Sequence, residues 1–171
     1  MLQHVSCDAC EFKAKVYFSH RAYMVPELEY GLPIRANLGW CFDCDNAIPI
    51  EHIPEMQQLE SELQFEIENP RVIESDLQMG LTENNHLIWA KSRLNWRRTR
   101  KSPQRCLICG GSDIIDLGER LAVKRDDIIG LHPSCLKNGN LLHQGGGLVN
   151  YLAIEPYSPD GQRLETESDD G

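Results

Sequence analysis

Seven cysteines and one histidine fall into four short, evenly built pairs: Cys7-x-x-Cys10, Cys41-x-x-Cys44, Cys106-x-x-Cys109 and His132-Pro-Ser-Cys135. Scattered at random over a chain of this length, seven cysteines would give about 0.3 Cys-x-x-Cys pairs, so the three present share a purpose. Metal binding supplies one. A two-residue gap lets a tight turn aim both donors at one point, and two such knuckles complete the tetrahedral shell of a structural zinc ion. The spacing predicts two zinc ions per chain, held by Cys7, Cys10, Cys41, Cys44, Cys106, Cys109, His132 and Cys135. Four protein ligands leave no position for a water, so neither ion is expected to generate a hydroxide nucleophile.

His132 earns its place by standing three residues before Cys135, with Pro133 stiffening the turn. His143 is the alternative fourth ligand, and His4, His20, His52 and His86 lack knuckle geometry. Disulfides fit poorly, because an odd count leaves one thiol over and the cytosol keeps thiols reduced. Trp40-Cys41-Phe42-Asp43-Cys44 is similar to the Trp-Cys-x-x-Cys site of thioredoxins. That chemistry wants its first Cys at a helix N-terminus, and Pro49 and Pro54 would interrupt such a helix.

Neighbouring knuckles pair most simply, giving Cys7/Cys10/Cys41/Cys44 and Cys106/Cys109/His132/Cys135. Pairing across the two halves must close longer loops, yet each doubling of loop length costs only about 0.6 kcal/mol, so it stays open. Over residues 7–44 and 106–135 the chain resembles the zinc-ribbon class of zinc fingers, in which two knuckles at the ends of β-hairpins clamp one metal. That class implies zinc and says little about function.

The elements that must carry these knuckles are legible in part. Phe12, Ala14, Val16 and Phe18 alternate with polar neighbours, as in a half-buried strand leaving the first knuckle. A return strand is expected over Ile34 to Trp40, after the turn-prone segment Pro26 to Pro33. Met56, Leu59, Leu63 and Ile67 lie within about 80° of one another on a helical wheel, with Pro54 at the start and Asn69-Pro70 at the stop. A second helix is expected from Thr82, its N-cap, toward Arg100, with Leu87, Ala90 and Leu94 on one face. Gly145-Gly146-Gly147 reads as a flexible turn. Leu148 to Ile154 and Gln162 to Thr166 flank the turn signal Tyr157-Ser-Pro-Asp-Gly161 and predict a C-terminal hairpin before a short acidic tail. The expected class is α+β: an N-terminal ribbon over 1–53, a helical hairpin over 54–103, a second ribbon over 104–144, and a β-hairpin with its tail over 145–171.

Charge is unevenly spread. The net −9 disfavours nonspecific attraction to nucleic acid or anionic lipid, and zinc sites with four and three thiolates would add about −2 and −1. Residues 51–76 hold eight acids against Arg71, and residues 91–105 hold seven bases and no acid. Mutual neutralisation of the two helices explains both runs. Trp89, Arg93, Trp96 and Arg100 nevertheless form a second stripe, opposite Leu87 and Leu94. Either that stripe is buried with Arg stems on the indoles, or it is a surface that meets a partner.

No HExxH, zinc-deaminase, Walker or Gly-x-Ser-x-Gly motif occurs. The sequence is therefore read as a noncatalytic zinc protein serving protein–protein interaction or scaffolding, with an unidentified protein partner. The alternative is nucleic-acid binding through Trp89, Arg93, Trp96, Arg97, Arg98, Arg100, Lys101 and Arg105, joined by Lys91. A third reading is an enzyme whose site assembles from distant residues. No apolar run approaches the roughly 18 residues of a membrane span, and the N-terminal residues lack signal-peptide order, so a cytoplasmic location is expected.

Overall fold

Strand β1 (Leu2–Cys7) turns its buried residues Gln3, Val5 and Cys7 to one side, and β2 (Lys13–Tyr17) does the same with Ala14 and Val16. This is the period-two alternation of strands with one face on a core. The computed structural model describes residues 1–70, 85–118, 124–147 and 154–165. The further elements are β3 (His20–Tyr23), β4 (Leu32–Pro33), β5 (Ala36–Cys41), β6 (Asn46–Glu51), α1 (Met56–Glu68) and α2 (Asn85–Thr99). They are followed by β7 (Ile114–Asp116), β8 (Ile128–Leu131), β9 (Asn140–Gly147) and β10 (Ile154–Tyr157). The fold is α+β, as the sequence predicts.

Three sheets form. The first has the order β2-β1-β9-β8 and the second β6-β5-β7, each antiparallel throughout; the third, β10-β3-β4, pairs β10 with β3 in parallel. Val5, Val16, Phe18 and Leu141 of the first sheet region meet Leu38, Trp40 and Ala47 of the second in one core. Tyr23, Leu32, Trp96, Leu107 and Tyr157 make another. The helices lie against each other with Leu59, Ala90 and Leu94 buried. Arg93 reaches Glu62 while Arg97 reaches the Pro54 carbonyl, so the two run antiparallel.

Several expectations are corrected. The strand leaving the first knuckle returns to β1, which precedes that knuckle, and the predicted return strand instead pairs β5 with β6 and β7. Gly145-Gly146-Gly147 is the end of β9, with Gly146 opposite Gln3 and Gly147 opposite Leu2. Room explains Gly146, since a β-carbon there would strike the Leu2 carbonyl. The turn after Tyr157 forms, with Ser158 N–H bonded to the Gln162 carbonyl at 2.8 Å, and among the described residues a short arm follows it through the bridge Tyr157–Arg163 and the bond from Leu164 N–H to the Pro156 carbonyl at 3.0 Å; β10 also pairs in parallel with β3. Thr82, residues 148–153 of the expected strand and the tail lie outside the described residues.

Candidate metal centres

Each knuckle sits where a strand ends. Cys7 closes β1 and Cys10 lies in the turn to β2; Cys41 closes β5 and Cys44 lies in the turn to β6. Cys106 bridges to Ile50 of β6, and Cys109 stands in the turn before β7. His132 and Cys135 occupy the turn between β8 and β9. Backbone bonds close the turns: Cys7 N–H to Phe12 carbonyl at 3.1 Å, Cys106 N–H to Gly111 carbonyl at 2.8 Å, and His132 N–H to Gly139 carbonyl at 2.9 Å. Asp45 (φ 45°) and Gly110 (φ 79°), each directly after the second Cys of its pair, turn the chain back through left-handed backbone.

The knuckles pair otherwise than neighbouring positions suggest. One cluster is Cys7, Cys10, His132 and Cys135, and the other is Cys41, Cys44, Cys106 and Cys109, with the donor atoms of each within 4.8 Å of one another. The first and last knuckles make an outer site that encloses the inner one in sequence. The reason is the sheets: β1 pairs with β9, and β5 with β7, so each cluster lies where two hairpin ends are laid side by side. The extra loop closure costs at most about 2 kcal/mol over local pairing, small beside the energy of two sheets and two sites.

The spacing of donors fits a tetrahedral ion. Cys7 Sγ lies 3.8 Å from Cys135 Sγ, Cys44 Sγ 3.8 Å from Cys106 Sγ, and Cys41 Sγ 3.6 Å from Cys109 Sγ. A tetrahedron with metal–sulfur bonds of about 2.3 Å has edges of about 3.8 Å. His132 Nδ1 faces Cys10 Sγ at 3.4 Å, the shorter edge that a nitrogen donor gives. All seven cysteines are free of disulfides. Amide N–H groups point at the sulfurs: Ala9 at Cys7, Ile108 and Cys109 at Cys106, and Gly111 at Cys109, all between 3.3 and 3.5 Å. Such bonds favour thiolates. Burial first, then the neighbouring thiols, pushes Cys41 up to about 11 and raises Cys44 as well. Cys41 and Cys44 therefore resist ionising until a cation joins them, whereas Cys109, despite burial, is lowered by the Gly111 N–H and the neighbouring thiols.

The surroundings hold the clusters in place. Asp8 accepts the Asn140 N–H at 2.7 Å and its side-chain amide at 2.9 Å, tying the first knuckle to β9; these bonds lower the Asp8 pKa from its ordinary value. Gly139 lies so close that a β-carbon there would come within 2.5 Å of Cys7 Sγ. The His132 ring packs against Phe12 (4.6 Å) and Trp40 (4.9 Å), which also touch each other at 5.3 Å. Sequence reasoning missed these supports, although an aromatic residue directly before Cys41 and another just after Cys10 were signals in plain view. His143 is no part of either cluster; its Nδ1 faces the Lys124 carbonyl at 3.1 Å.

The Trp/Arg stripe is divided. Trp96 is buried, stacks on Tyr23 at 4.5 Å and donates its indole N–H to the Pro159 carbonyl at 2.7 Å. Arg100 is buried as well, lying over both Tyr23 and Trp96 and gripping Glu51 with bonds of 3.0 and 2.6 Å. Glu51 also accepts from the Tyr23 hydroxyl and the Arg105 N–H; burial raises its pKa while Arg100 and these donors oppose the rise. Trp89 is exposed, Arg93 pairs with Glu62 at 2.8 Å, and Arg98 pairs with Glu60 at 3.6 Å. Arg97 bonds the Pro54 carbonyl and Arg105 the Gly110 carbonyl, while Lys91, Arg98 and Lys101 are exposed. One continuous binding stripe is therefore not formed.

Trp89 lines an open groove of about 1120 Å³ between the helices, together with Phe65, His86, Glu62, Arg93 and Arg35. No described helix is long and apolar enough to cross a membrane. Comparison of the chain with protein-family models, curated proteins and solved structures finds no match in any of the three.

Proposed function

We propose that this is a noncatalytic protein in which two structural zinc ions fasten nested ribbons, and that the rigid body so formed serves as an interaction module or scaffold for another protein. The observation that carries the zinc reading is the pair of four-donor clusters whose sulfur spacings match the edges of a zinc tetrahedron. Donor sets of four cysteines, or of three cysteines and one histidine, are those of structural zinc, and the N–H groups on the sulfurs stabilise the charge such a shell carries. The residues Cys7, Cys10, His132 and Cys135 would hold one ion, and Cys41, Cys44, Cys106 and Cys109 the other.

Interaction with a protein is favoured over nucleic acid because Arg93, Arg97 and Arg98 of α2, and Arg100 directly after it, each have a partner within the fold. Arg93, Arg98 and Arg100 face carboxylates, and Trp96 cannot stack on a base while its ring is packed on Tyr23. Metal analysis of protein purified without added metal tests the zinc reading, with two zinc per chain expected. Each structural zinc can supply on the order of 10 kcal/mol of folding free energy, so chelation should unfold both ribbons. A circular dichroism spectrum and melting temperature unchanged by complete metal removal would overturn it.

A further inference from the structure

We propose that Cys109 is an oxidation site and Cys41 its resolving partner, so that a hydroperoxide discharges the inner cluster while the outer one stays loaded. This rests on the metal-binding reading above. Among the eight candidate ligands Cys109 alone is exposed, whereas Cys41 and Cys106 are buried and Cys44 is half-buried. Cys106 is further shielded by two N–H donors, against one for Cys109. Cys109 Sγ faces Cys41 Sγ at 3.6 Å, so a disulfide of about 2 Å needs only a small closing movement.

The outer cluster is built differently. Cys7, Cys135 and His132 are buried, and its remaining thiol, Cys10, is only half-buried; it shares the cluster with the Cys7 and Cys135 sulfurs, within 4.8 Å, and has His132 Nδ1 at 3.4 Å. Phe12 and Trp40 cover the imidazole. Both clusters hold thiols side by side, so access separates them: the one exposed ligand thiol, with a second sulfur at 3.6 Å, belongs to the inner cluster.

The chemistry balances with hydrogen peroxide as the oxidant. The Cys109 thiolate attacks one peroxide oxygen, the O–O bond breaks, and hydroxide leaves, giving a sulfenic acid and, once the hydroxide takes up a proton, a water. The Cys41 thiolate then attacks the Cys109 sulfur, the S–O bond breaks, and a second hydroxide leaves. Two thiolates, one peroxide and two protons become one disulfide and two waters, with the two sulfurs giving up two electrons. Only Cys44 and Cys106 then remain as donors, too few to hold the ion.

The test begins with the metal content of the full chain, followed by titration with hydrogen peroxide in the presence of a colorimetric zinc indicator. One zinc per chain should be released and one retained, and fragmentation of the linked tryptic peptides should place the disulfide between Cys41 and Cys109. Cys109→His, which keeps a ligand but removes the oxidisable sulfur, should hold both ions at the same peroxide dose. Fewer than two zinc before oxidant overturns the metal reading and this inference with it. Two zinc that survive peroxide, two released together, or a disulfide joining Cys10 to another cysteine overturn this inference alone. Should Cys109→His fail to fold, the stoichiometry and the disulfide position in the unaltered chain decide the matter.

Discussion

The Trp40 indole meets the His132 imidazole edge-on, with centroids 4.9 Å apart and planes at 61°. Trp40 is the residue before Cys41 of the inner cluster, and His132 belongs to the outer one, so this contact joins the two sites. Phe12 touches both rings, and the Ser134 hydroxyl donates to the Asp45 carboxylate, linking the last knuckle to the second. Trp40 has no exposed surface. Replacing it by Ala should cost about 3–5 kcal/mol, the usual loss for an emptied aromatic site. Denaturant unfolding together with metal content would check this: both sites should bind more weakly, and Trp40→Phe should recover much of the loss.

Nested pairing makes a prediction that local pairing contradicts. A Cys7→Ser/Cys135→Ser double variant should lose one ion and keep the other, because both residues serve the outer cluster. Cys7→Ser/Cys41→Ser should lose both. Metal content per folded chain reads the answer directly.

The Glu51–Arg100 pair is buried on both sides, with side chains 0% and 1% exposed. Glu51→Gln would leave the guanidinium charge uncompensated, and a loss of about 3–5 kcal/mol is expected in urea unfolding. A double replacement of both partners by apolar residues of similar size should cost less than the single change.

Gly161 presses against that pair with φ 79°, and a β-carbon there would fall 2.7 Å from Arg100 Nη2 and closer still to Glu51 Oε1. Gly161→Ala should therefore destabilise by about 1–3 kcal/mol, readable as a lowered melting temperature.

The two tryptophans of the α2 stripe should part company. Trp96→Ala is expected to cost about 3–5 kcal/mol, and Trp89→Ala, at an exposed position, to stay within about 0.5 kcal/mol. Equal effects in thermal unfolding would contradict the burial of one and exposure of the other.

The eight donors, the strand after the first knuckle and both helices were legible because each rests on a local rule: ligand spacing, alternation, or helical period. Partnership was not. Whether Cys10 joins Cys41 or His132 depends on β1 lying beside β9, and residues 2–7 and 140–147 carry nothing in their pattern that names each other. The glycines of β9 misled for a related reason. Three glycines in a row read as a turn, yet the middle one, Gly146, is set by the closeness of the neighbouring Leu2 carbonyl, a constraint imposed from another part of the chain. The Trp/Arg stripe was periodic, and periodicity fixes which residues share a face without saying what covers it; Tyr23 and Pro159, far away in sequence, do.

Because β1 is laid against β9 and the outer cluster draws on both ends of that pairing, residues 1–10 and 132–147 are fastened independently of the polypeptide between them. A single enzymatic nick between residues 52 and 105 would leave two fragments that share both clusters, β1–β9 and β5–β7. They should migrate as one particle in native conditions with metal present and separate when it is chelated, so that covalent continuity and structural continuity become separable properties of the same molecule.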